Sequence, residues 1–189
     1  MDLILLQPGD TKVFPSANGW DKGGSLIDSG PGGVDPSLKL GQCIELVSVH
    51  QGMKQQVTTD VSNSARTSGR PIITEFTCVK YVDKTSVKLF DYCLRAETIG
   101  KDKGAPSYIY ILRNSGDKTA NIITFALRDA LISEIQFQSH PDDMPTEQFK
   151  LNFTEILWTY NVQLADMKTL GKVTTGWSLA HNRPIAQFT

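Results

Sequence analysis

The sequence predicts a mainly β fold: a small antiparallel β-barrel of two sheets with one flanking α-helix and long loops. Three observations predict it. Apolar and polar residues alternate over several runs with the period of a strand. Only one segment, near 85–100, carries the three-to-four-residue spacing of a helix. Glycine, proline and small polar residues punctuate the rest, and many strands beside one helix favour an antiparallel barrel, closed or nearly closed.

Leu3–Leu6 reads as a short first strand. From Pro8 to Gly41 the pattern dissolves into Asn18-Gly19-Trp20, Lys22-Gly23-Gly24, Ser29-Gly30-Pro31-Gly32-Gly33 and Asp35-Pro36. Glycine relaxes the backbone and proline donates no hydrogen bond, so this stretch sustains no regular ladder. It is expected as a loop insertion at about 8–41 within a single domain spanning 1–189, anchored locally by Val13-Phe14 and Leu26-Ile27. Gln42–His50 reads as a strand on Ile44, Leu46, Val47 and Val49. Gly52–Gly69, rich in Thr, Ser, Gln and Asn and interrupted by Val57 and Val61, reads as an extended loop or exposed hairpin.

Pro71–Val82 reads as one strand with two apolar faces, Ile73, Val79 and Tyr81 against Ile72, Phe76, Cys78 and Val82. The helix follows, its stripe read as Val87, Phe90, Cys93, Leu94 and Glu97. Asp83 or Thr85 is its expected start and a left-handed Gly100 its expected end. Tyr108–Arg113 turns through Ser115-Gly116-Asp117 into a long run, Ala120–Gln138, which must bend or span two sheets. His140–Pro145 is a polar loop. Gln148–Gln163 reads as one strand with Phe149, Leu151, Phe153 and Leu157 on one face. The other face changes from Lys150, Asn152 and Thr154 to Ile156, Trp158 and Tyr160, as though half of it met a partner surface. Val173–Pro184 is a short last strand or tail.

With 189 residues, 40% apolar and 21% charged, the chain is long enough to bury a core without metal or disulfide. A net charge of −1 with scattered signs argues against nucleic acid and acidic lipid as partners, and it allows identical subunits to pack closely. No apolar run approaches the roughly 20 residues that span a bilayer. Met1–Pro8 is too short and too acidic for a secretory signal. Cys43, Cys78 and Cys93 lie at irregular spacing inside apolar stretches, which reads as buried small side chains.

No nucleotide-cradling loop, nucleophile elbow or metal-ligand spacing is present, so neither enzyme nor cofactor is expected. Ser29–Gly33 lacks the preceding strand and following helix of a phosphate site. His140-Pro141-Asp142-Asp143 reads as a solvated loop before a cation site. Asn152-Phe153-Thr154 matches a glycosylation acceptor but lies in a strand. Tyr108, Tyr110, Trp158, Tyr160 and Trp177 lack the basic groove that accompanies a stacking platform for single-stranded nucleic acid.

Phe76-Thr77-Cys78-Val79-Lys80-Tyr81-Val82-Asp83-Lys84-Thr85-Ser86-Val87-Lys88-Leu89 resembles the haemolysin-coregulated proteins (Hcp) of bacterial type VI secretion. In that family a strand ending in a basic residue leads into an Asp-Lys-x-Ser-x-x-Leu turn and the single helix. Cys43–Val49 is similar to the family's second strand, Ile122–Val162 to its long strand pair, and Gly176–Asn182 to its C-terminal tail. The long connection before Gln42 departs from the family's shorter one.

The resemblance implies a homo-hexameric ring, stacked into a hollow tube that a contractile sheath drives out of the cell. The tube is capped by a valine-glycine-repeat (VgrG-type) spike protein and carries effectors in its lumen. It implies assembly in the bacterial cytoplasm and then secretion without a cleaved signal. Ring contacts would then fall on Met53, Gln55, Val57, Thr59 and Val61 of the extended loop. They would also use the second strand faces, Ile73, Val79 and Tyr81, and Ile156, Trp158 and Tyr160. Two other readings are a small-ligand carrier on a closed barrel and a hydrolase assembled from distant residues such as His140 and Asp143.

Overall fold

Two antiparallel sheets face each other across the larger of two hydrophobic clusters in the computed structural model, the smaller being Leu5, Cys43, Tyr110 and Leu112. The structure describes residues 2–14, 40, 42–60, 65–100, 104–115, 118–163 and 169–189. The first strands are β1 (Asp2–Gln7), β2 (Ile44–Leu46), β3 (Ser48–His50), β4 (Met53–Lys54), β5 (Val57–Asp60), β6 (Ala65–Ser68), β7 (Ile72–Ile73) and β8 (Phe76–Tyr81). Helix α1 (Ser86–Arg95) follows. After it come β9 (Ser107–Ser115), β10 (Lys118–Arg128), β11 (Leu131–Gln138), β12 (Thr146–Asn152), β13 (Glu155–Gln163), β14 (Thr169–Ser178) and β15 (Arg183–Pro184). The larger sheet runs β15-β14-β13-β10-β9-β1-β2 and the smaller β11-β12-β8-β3.

The mainly β, antiparallel, one-helix class stands, but the barrel is not closed. The sheets are joined by strands that turn corners rather than by a continuous ladder. Gln42–His50 is not one strand: β2 pairs with β1, the chain bends at Val47, and β3 pairs with β8 in the other sheet. The run 120–138 breaks at Asp129 and Ala130 and passes from the larger sheet to the smaller. Asp129 takes φ 51°, a left-handed geometry that aspartate tolerates better than most residues. The run 148–163, read as a single strand, breaks at Phe153 and Thr154 and passes back. Thr154 pins both corners together, its N–H donating to the Arg128 carbonyl and its hydroxyl to Asp129 Oδ2 at 3.0 Å.

Each corner inverts which parity faces inward. Phe149, Leu151 and Phe153 are buried, and beyond the corner Ile156 is buried too. The break at Thr74 and Glu75 likewise splits 71–82. Ile72 is exposed on β7, whereas Phe76 and Cys78 on β8 enter the core. Gly52–Gly69 adopts the hairpin alternative. β4 pairs with β7 and β5 with β6, forming an arm whose base is tied by Gly52 N–H to Thr74 Oγ1 at 2.8 Å.

The helix buries Ser86, Leu89 and Tyr92; of the expected stripe Cys93 packs against the core, but Val87 and Leu94 are 74% and 84% exposed. Its end is Ala96, at φ 52°, rather than Gly100. Gly100 serves a close approach instead, because a Cβ there would stand 2.6 Å from Ser107 Oγ and 2.7 Å from the Ala105 carbonyl oxygen. Val13 and Phe14 are buried as expected. Leu26-Ile27, Ser29–Gly33, Val61 and the Gly116-Asp117 turn lie outside the described residues. Cys43 and Cys78 are buried, and burial pushes both thiols well above their usual range, so neither offers a thiolate.

Candidate assembly surface

The inner face of the larger sheet is longer than the sheet that covers it. Register sets Leu127, Ile156 and Trp177 in one cross-strand row, Phe125, Trp158 and Thr175 in the next, and Ile123, Tyr160 and Val173 in the third. Residues in such rows touch directly across the strands. The first row lies in or against the core, Ile156 being 7% exposed. Along the same face Trp158 is 40% exposed, Tyr160 46% and Val173 65%.

Aromatic rings carry the core out to this shelf. Phe153 packs on Phe76 with centroids 5.7 Å apart, Phe76 meets Phe125 edge-on at 5.1 Å, and Phe125 meets Trp158 at 5.7 Å. A contiguous, rigid aromatic shelf without charge is the surface type that protein interfaces bury at their centres.

The expected contact residues fall on three surfaces rather than one. Trp158 and Tyr160 stand on the shelf, while Ile156 belongs to the core and has little surface to offer. Val79 is half-buried and Tyr81 exposed on the outer face of the smaller sheet, among Thr77, Thr146 and Gln148. Met53, Gln55 and Val57 are exposed on the hairpin arm, where Gln55 Nε2 donates to the Gly69 carbonyl at 2.5 Å. Thr59 lies on β5, and Ile73 turns inward against the core. Sequence reasoning missed Val162 and Val173. Val162 shares the strand alternation of Trp158 and Tyr160, whereas the signal for Val173 was the pairing of 155–163 with 169–178, which only the turn between them could have announced.

A cavity of about 310 Å³ opens at the base of the arm. It is lined by His50, Thr74, Glu75, Thr77 and Lys150, and it is therefore polar rather than the apolar chamber a carrier needs. Lys150 is paired with Glu134, and Asn152 donates to Glu75 at 2.7 Å, so these charges already have partners.

Comparison with known proteins joins this geometry to a family. The family model for "Type VI secretion system effector, Hcp" matches residues 38–160. Among solved structures, one described as a type six secretion system protein covers 98% of this chain and 100% of its own, with 20% identity and a TM-score of 0.76. Hcp1 from Salmonella typhimurium covers 97% and 99%, with 18% identity and a TM-score of 0.66. A type VI secretion system effector from Yersinia pestis covers 93% and 98%, with 16% identity and a TM-score of 0.53. Identities this low establish a shared fold. A sequence comparison with curated proteins finds no match.

Proposed function

This chain belongs to the type VI secretion system Hcp family, and from that premise we propose that it is a structural subunit of the secretion tube. Six copies close into a ring through head-to-tail contacts, and rings stack into a hollow tube. The tube meets a VgrG-type spike at its tip and a contractile sheath around it, and it leaves the bacterial cytoplasm with effectors in its lumen. Export by this route needs no cleaved signal.

The observation that carries the proposal is the uncovered aromatic shelf. In a ring, each subunit must offer one surface to its neighbour and a different one to the neighbour behind. Trp158, Tyr160 and Val173 are rigid anchors of the kind that dominate such contacts. The hairpin arm supports the stacking step. A two-stranded ribbon is marginal by itself in water, and Met53 and Val57 point into solvent in the isolated chain.

The test is particle mass. Light scattering on the purified chain should give six times 20.9 kDa, with rings visible by electron microscopy. A species that stays monomeric at every accessible concentration would sink the reading.

A further inference from the structure

Residues 183–189 close a polar row that crosses the larger sheet. Register places Arg128, Glu155 and Ser178 side by side on β10, β13 and β14, with Arg183 of β15 next to Ser178. Beyond Pro184 the chain leaves the edge and returns over the outer face of the same strands. The Ile185 N–H donates to the Gly176 carbonyl at 3.0 Å. A Cβ on Gly176 would stand 2.9 Å from the Ile185 carbonyl oxygen and 2.8 Å from that of Ile156, so only glycine admits this crossing.

At the far side Thr189 donates its N–H to Glu155 Oε2 at 3.0 Å and its hydroxyl to Oε1. Arg128 Nη1 donates to the Thr189 carbonyl and, at 3.2 Å, to Glu155 Oε2. Glu155 and Ser178 are buried beneath, whereas Arg183 and Pro184 are exposed.

The same segment shortens an open strand edge. Because the Gly176 carbonyl faces β15, antiparallel alternation turns the N–H and C=O groups of Lys172 and Thr174 to that side as well. Among the described residues no strand pairs with them. Just beyond, the register steps from Val162–Gly171 to Gln163–Thr169, leaving Leu170 as a bulge. A short edge bearing a lysine and a bulge resists pairing. Lifting 183–189 would add Gly176 and Ser178 to it.

We propose that residues 183–189 are a strap that guards the β14 edge in the single chain, and that lifting it makes this edge a pairing strand for a second copy. The second copy is favoured because the shelf lies on the same strand. Val173 and Thr175 face the shelf where Lys172 and Thr174 face the edge, so a chain pairing here also covers exposed aromatics. The identity of the partner rests on the tube-subunit reading; the guarding role does not.

The test compares the full chain with Thr189→Ala and with a variant lacking 183–189, by amide hydrogen exchange and light scattering. Thr189→Ala should speed exchange at Ile185 about tenfold, through loss of one charge-assisted hydrogen bond. The shortened chain should form concentration-dependent species in which Lys172 and Thr174 become protected. Unchanged exchange at Ile185, or a shortened chain matching the parent in mass with both amides unprotected, overturns the proposal. If the shortened chain does not fold, Glu155→Gln takes its place with the same readouts. A parent chain that never forms rings, but whose strap variants pair along β14, keeps this inference and sinks the tube reading.

Discussion

Lys80 and Glu147 are fully buried and 2.9 Å apart, where the smaller sheet meets the helix start. Lys80 Nζ also reaches Asp83 Oδ1 at 3.0 Å and Ser86 Oγ at 3.1 Å, and Ser86 Oγ donates to Glu147 Oε1 at 2.9 Å. A buried charge without its partner costs far more than the pair contributes. Lys80→Met should therefore destabilise by about 3–5 kcal/mol, and adding Glu147→Leu should recover most of that loss. Urea unfolding measures both, and a double variant as unstable as the single would contradict this account. Glu155 gives a pH counterpart. Burial alone would raise its carboxyl pKa, but hydrogen bonds from Thr189, Arg128 and Ser178 outweigh burial and hold it at about 2 against an ordinary 4.5. The folded value lies below the unfolded one, so this contribution is present above pH 4.5 and lost as the pH falls through about 2. Across that window the melting temperature of Glu155→Gln should fall less than that of the parent.

At the scale of elements, the corners decide what a sequence can reveal. Asp129 at φ 51° sits between two strands of different sheets. Asp129→Val should cost about 2 kcal/mol, since a β-branched residue resists the left-handed region, and Asp129→Gly should cost less. Thermal unfolding of the two variants checks the order. Strand alternation made 120–138 and 148–163 legible as β, and the length of 120–138 pointed to a bend or two sheets. Alternation carries no mark of the corner itself. Parity counted through Phe153-Thr154 therefore put Leu157 on the face of Phe149 and Leu151, when the corner turns Ile156, Trp158 and Tyr160 to the core side, where Ile156 is covered and the other two are left exposed. The same limit explains the helix. Val87 and Leu94 recur at helical spacing, yet the strand and turn before α1 rotate it so that Leu89 and Tyr92 face inward. Tyr92 is then held by its hydroxyl, which donates to Asp10 at 2.9 Å, a contact far away in sequence. Of the shelf, Trp158 and Tyr160 were legible from one strand alone; Val173 required knowing its cross-strand neighbour.

For the whole molecule, the shelf and the net charge of −1 make a joint prediction about assembly. Surface ion pairs weaken as salt shortens the screening length, whereas apolar contacts do not. Rings held by Trp158, Tyr160 and Val173 should keep their mass from about 0.1 M to about 1 M salt. Tyr160→Lys should abolish them while leaving the melting temperature near that of the parent, because Tyr160 is already half in water. The mixture separates a head-to-tail ring from a symmetric pair. In a ring, a Tyr160→Lys subunit loses its shelf but keeps the surface that receives a neighbour's shelf, so it joins a growing arc and stops closure. Ring yield should then fall much more steeply than the fraction of variant added, since one such subunit spoils a whole ring. A yield falling only in proportion to that fraction, read by light scattering on titrated mixtures, would mean that the shelf meets its own copy, and closure by a repeated rotation would be lost as an account of this surface.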